Sequence, residues 1–100
     1  MSIGQQILFS VGLCLLSPLL LAVVPTHVEI QANTCNVCHG EAGESAGTVP
    51  SLKGKPVAYL EQILLNYKTD KQLGTIMNRV AKGFTDEEIK AIANYYAGLK

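Results

Sequence analysis

The run Cys35-Asn36-Val37-Cys38-His39 constrains this chain more than any other part of it. On a helical turn, residues at i, i+3 and i+4 point the same way, so Cys35, Cys38 and His39 share a face if the run is helical. Gly40 follows directly and is a helix stop. Two thiols and an imidazole in one turn suit three chemistries: a dithiol switch, part of a metal site, or attachment of a larger group through both sulfurs.

The rest of the chain narrows the choice. Lys plus Arg and Asp plus Glu are 8 each, so nothing steers the protein toward nucleic acid. The apolar fraction of 48% is high, but much of it sits at one end. From Ile7 to Val24 no residue is charged. That run is at the lower limit for a membrane-spanning helix and long for the apolar part of an export signal. Residues 1–24 are expected to be either a signal peptide, cleaved near Ala22, or a membrane anchor formed by residues 7–24. Ser17-Pro18 would kink a spanning helix but is harmless in a signal, and Ile30-Gln31-Ala32 is a poorer cleavage site, too close to Cys35. Cys14 reads as a plain apolar residue, because Leu13 before it is too large for a lipoprotein signal. Either reading carries the rest of the chain across a membrane, into the periplasm.

The exported domain, residues 25–100, is small enough that an apolar core alone gives marginal stability. Only Cys35 and Cys38 remain for a disulfide, and so short a loop would constrain little. A cofactor is the better source of stability. The chain shows no alternating strand pattern, and three helices are expected. The first covers Thr26 to Cys38, with Glu29 in its first turn. Glu41 to Pro56 is a Gly- and Pro-rich loop. In the second helix, Val57 to Lys68, Leu60, Ile63, Leu64 and Tyr67 make one apolar stripe. Ile76-Met77-Asn78 falls in a loop before the third helix, whose start is marked by the capping box Thr85-Asp86-Glu87-Glu88 and whose buried face is Ile89, Ile92, Ala93 and Tyr96.

Cys-x-x-Cys-His is the attachment pattern of c-type haem: each thiol adds to one vinyl group, and the adjacent imidazole lies under the iron. Zinc needs four ligands, and only the distant His27 is left to add. A dithiol switch usually opens a helix after a strand, and no strand precedes this one. One covalent haem c is the reading, with Cys35, Cys38 and His39 binding it and His39 on the iron. The sixth position then falls to Met77, the one methionine besides Met1. His27 is the rival, but it lies on the same side of the attachment point as His39. Two filled axial positions leave no seat for a reactant, so the chain is expected to pass single electrons and not to be an enzyme. Leu52, Leu60, Ile63, Leu64, Ile76, Ile89 and Ile92 are expected to wall the haem. Tyr59, Tyr67, Tyr95 and Tyr96 read as packing residues with wet hydroxyls, and Lys68, Lys71, Arg79 and Lys82 as scattered surface charge in preference to a docking patch.

Residues from about Pro25 to Lys100 resemble a small class I bacterial cytochrome c, an all-α fold of about three helices around one haem. Within that class the chain is most similar to the monohaem cytochrome subunit of flavocytochrome c sulfide dehydrogenase. The stretches that carry the resemblance are N-T-C-N-V-C-H-G, V-P-S-L-K-G with Y-L-E-Q-I-L-L-N-Y-K, and T-I-M-N-R-V-A-K-G-F-T-D-E-E-I. The last places Met77 at the family's distal-ligand position. The resemblance implies an FAD-containing sulfide dehydrogenase subunit as electron donor and a redox carrier as acceptor. A free or membrane-tethered shuttle is the alternative. It also implies processing near Ala22, since Thr26 to Thr34 fall on the family's first helix. The family often has a Gly-Pro pair downstream of the ligand histidine, whose carbonyl holds the imidazole N–H. Here that place reads Gly47-Thr48 with Pro50 two positions on, so Thr48 or Pro50 is the expected acceptor.

Overall fold

The structure is a computed structural model that describes residues 26–100. The signal-or-anchor segment 1–24 and Cys14 within it lie outside the described residues. Four α-helices and one 3₁₀ turn make up the domain: α1 (His27–His39), the turn Glu41–Gly43, α2 (Val57–Lys68), α3 (Met77–Lys82) and α4 (Asp86–Ala97). Among these residues there is no strand, as expected, and no helix is long and apolar enough to cross a membrane.

Helices α1 and α4 begin in the same way. Thr85 Oγ1 accepts the Glu88 N–H at 3.1 Å while Glu88 Oε1 accepts the Thr85 N–H at 2.9 Å, which is the reciprocal capping box that the sequence spells out. Thr26 and Glu29 do the same for α1, with the Thr26 N–H donating to Glu29 Oε2 at 2.6 Å. Each box satisfies amide groups that a helix start otherwise leaves without partners. The two starts also touch: Glu88 Oε2 accepts from His27 Nε2 at 3.2 Å and from the Gln31 amide.

Helix α4 packs against both α1 and α2, and α3 packs on α2. The buried cluster is Ala32 from α1, Leu60 from α2, and Ile92, Ala93 and Tyr96 from α4, with Val28, Cys35, Leu52, Leu64 and Phe84 packed around it. Leu60 and Ile92, expected at the haem wall, thus join helix to helix. Ile76, also expected there, is 59% exposed in the protein alone.

Two expectations need correction. Met77 does not lie in a loop: it is the first residue of α3, a helix too short to show a 3.6-residue period and lacking a side-chain cap at Ile76. Tyr96 does not carry a wet hydroxyl. It is 1% exposed, and its hydroxyl donates to the Ala32 carbonyl at 2.7 Å and lies 2.6 Å from Asn36 Oδ1. The last helix therefore grips the first at Ala32 and Asn36, and Asn36 lies inside the Cys-x-x-Cys-His run.

Candidate haem-attachment site

The run occupies the last turn of α1, and the helix ends on His39 itself. Gly40 then turns the chain with φ +91°, where a β-carbon would lie 2.1 Å from the Glu44 carbonyl oxygen. Glycine is the residue that both fits and adopts this conformation. The chain folds back through the 3₁₀ turn into residues 44–52, a loop closed at its neck by the Gly43 carbonyl, which accepts from the Leu52 N–H at 2.7 Å and the Lys53 N–H at 3.2 Å. A second tie inside the loop runs from the Ser45 N–H to Ser51 Oγ at 2.9 Å.

This closed loop delivers a carbonyl to the imidazole. His39 Nδ1 lies 2.6 Å from the Pro50 oxygen. A carbonyl only accepts, so the proton of a neutral ring sits on Nδ1 and the lone pair is left on Nε2. Pro50, and not Thr48, is therefore the acceptor. The ring is 8% exposed, the one buried polar or charged residue among those described. It has the form that a metal-binding histidine takes: one nitrogen held by a backbone oxygen, the other free for the metal.

Cys35 and Cys38 are both free thiols, Cys35 half-buried and Cys38 exposed. Cys35 Sγ lies 3.8 Å from the Gln31 carbonyl oxygen, and burial pushes its thiol up. Met77 is half-buried at the start of α3. His39 and Met77 are supported from opposite ends of the packing series α1–α4–α2–α3. His27, the rival ligand, is 78% exposed in its side chain and pairs with Glu88. Of the four basic residues around Met77, Lys68 pairs with Asp86 at 2.7 Å and Lys82 with Asp70 at 2.5 Å.

These residues fit a c-type haem on three counts. The thiols are unbridged and one helical turn apart, the imidazole has its tautomer set for iron, and the protein's own core is thin. Among the described residues the buried apolar ones are Ala32, Leu60, Ala81, Ile89, Ile92, Ala93 and Tyr96, nearly half of them alanine. So small a core needs a further apolar body to bury against.

The comparison with known sequences decides the family, for residues 28–100 match the sequence model described as cytochrome c. The chain belongs to the cytochrome c family. As such it carries covalently bound haem c and is an electron-transfer protein. The cytochrome subunit of sulfide dehydrogenase from Chlorobaculum tepidum is 39% identical over 82 residues, which cover 82% of this chain and 74% of that protein. Cytochrome c-554(548) of Halomonas halodenitrificans is 34% identical over 69% of this chain and 88% of its own length. A thiosulfate dehydrogenase electron acceptor from Thiomonas intermedia is 32% identical over 70% of this chain, but the match spans only 33% of that protein.

The sequence missed the Tyr96 grip and the Thr26 capping box. The second was in plain view, since Thr26-His27-Val28-Glu29 has the same Thr-x-x-Glu spacing as Thr85 to Glu88. The first had no local signal, because Tyr96 and Ala32 are far apart in the chain.

Proposed function

We propose that Cys35 and Cys38 hold the haem through thioethers, that His39 Nε2 and Met77 Sδ are the axial ligands, and that the protein is the cytochrome subunit of a periplasmic sulfide dehydrogenase. The haem supplies a one-electron couple. The protein's part is to hold it, to set its ligands and to keep water from it. The carrying observation for His39 is the 2.6 Å contact from His39 Nδ1 to Pro50, which leaves the Nε2 lone pair free to bind a metal. A thioether opposite an imidazole favours the ferrous state relative to two imidazoles, and suits a protein that accepts electrons from a reduced flavin.

The relatives support the donor. The Chlorobaculum tepidum protein is described as a sulfide dehydrogenase subunit and the Thiomonas intermedia protein as an acceptor for thiosulfate dehydrogenase. An FAD-containing sulfide dehydrogenase subunit would pass electrons to this chain, and a redox carrier protein would take them on. The apolar run at residues 7–24 supports export, by a cleaved signal or a retained anchor. A second reading is a free or membrane-tethered shuttle, since the Halomonas halodenitrificans relative, matched over 88% of its length, is described only as a cytochrome.

The test is purification from the native membrane and periplasmic fractions. Under the first reading a flavoprotein co-purifies and sulfide reduces the haem within the complex. A lone haem protein that sulfide reduces only through added enzyme establishes the shuttle. Ligation is tested by Met77→Ala, which should keep the haem attached, open the sixth position to added imidazole and lower the potential. Unchanged ligation in that variant removes Met77 from the site.

A further inference from the structure

Helix α3 carries Met77 but has little of its own to hold it. It spans Met77–Lys82 and has no side-chain cap at its start. A helix this short does not persist on its own. The neighbouring residue supplies what is missing. Asn78 Oδ1 accepts the Gly74 N–H at 2.8 Å, while Asn78 Nδ2 donates to the Gln72 carbonyl at 2.7 Å and the Tyr67 carbonyl at 3.1 Å. Backbone N–H groups only donate and carbonyls only accept, so these partners set the orientation of the amide without ambiguity. One side chain thereby ties α3 to the end of α2 and to the loop between them.

The far end of α3 is tied to the same loop. Asp70, in a left-handed turn at φ +60°, lies 3.2 Å from Asn78 Nδ2 through Oδ1, and the same oxygen accepts from Lys82 Nζ at 2.5 Å. Gly74 completes the fit. A β-carbon there would lie 2.9 Å from Tyr67 Cε1 and 3.7 Å from the Met77 β-carbon, so the loop lies flat between that ring and Met77. The second and last residues of α3 are thus clamped to residues 67–74.

We infer that Asn78 is a positioning residue for Met77, which it holds in place for the iron by pinning the loop ahead of it; this rests on Met77 being the sixth ligand. A neutral thioether is a weak ligand, and its apparent affinity falls by the fraction of molecules in which the loop is open. A ligand held ready by its neighbours competes better against exogenous ones.

The experiment titrates the ferric holoprotein with imidazole and follows loss of the sulfur-to-iron charge-transfer band. Wild type, Asn78→Ala, Asn78→Asp and Thr85→Ala are compared, with urea midpoints measured in parallel. Asn78→Asp keeps the acceptor for Gly74 but loses the donated bonds, and serves if the alanine variant does not fold. Thr85→Ala loses the cap of a different helix, α4, and reports what general destabilisation does. In the Asn78 variants imidazole should bind about tenfold more tightly or better, and in Thr85→Ala within about twofold of wild type. If Asn78 and Thr85 variants shift imidazole binding alike, or if neither shifts it while urea midpoints fall, Asn78 is structural only and the inference is overturned. The parent reading fails separately: wild type would then lack the sulfur-to-iron band, and Met77→Ala would bind imidazole no better than it.

Discussion

The ring of Tyr96 rests on the α-carbon of Gly43, so closely that a β-carbon at Gly43 would sit 2.6 Å from Tyr96 Cε1. Gly43 also adopts φ +73°, and its carbonyl closes the loop that presents Pro50 to His39. The C-terminal helix thus bears on the histidine through the neck of that loop. Gly43→Ala would meet both a left-handed backbone and a ring that is itself buried. The expected loss is roughly 2–4 kcal/mol of unfolding free energy in urea. A loss under about 0.5 kcal/mol, in the range of ordinary surface changes, would show that the neck yields without cost.

Tyr96→Phe keeps the ring and removes the hydroxyl that Ala32 and Asn36 share. The Ala32 carbonyl keeps its place in the α1 ladder, so losing the hydroxyl's buried bonds should cost about 0.5–1.5 kcal/mol. Amide hydrogen exchange should accelerate in α1 around residues 32–36 more than in α2 or α3. Uniform acceleration across all four helices would argue against a local grip.

Glu88 is held at about pKa 2, first by the Thr85 backbone N–H, then by His27 and Gln31. Its folded pKa lies below the ordinary carboxylate range, so its contribution is complete above that range and is lost as pH falls through about 2. Between about pH 5 and pH 2 the wild type should lose more stability than Glu88→Gln does. Urea denaturation at stepped pH gives the two curves, and parallel curves would show that the carboxylate does not link the helix starts.

Replacing Cys35 and Cys38 together by Ala should abolish covalent haem, as read by the mass of the denatured protein. It should also leave the chain with little helical circular dichroism, because the buried core is short of large side chains. Full helix content in that double variant would show that the polypeptide folds without the haem.

Much of the site was legible because it is local. Cys35, Cys38 and His39 share one turn, and that spacing is the attachment pattern of c-type haem. The start of α4 was legible for the same reason, as Thr85 and Glu88 bond to each other across one helical turn. The extent of α2 followed from its apolar stripe and agrees with the structure at both ends. What escaped was short or distant. Helix α3 has too few residues to show a period, so its sequence looked like a loop. Its order comes from the Asn78 amide reaching back to residues 67, 72 and 74.

The amino-acid sequence alone determined the all-helical class, the starts of α2 and α4 and the haem-attachment pattern of the Cys-x-x-Cys-His turn. Each of these is settled by residues within a few positions of one another. Only the tertiary structure decided that Pro50 and not Thr48 faces the imidazole, that Tyr96 is sealed against α1, and that Met77 opens a helix. Those outcomes depend on where a closed loop and a packed helix bring distant backbone groups. A carbonyl is chemically the same at every position of a chain, so no residue type announces which one a folded loop will present.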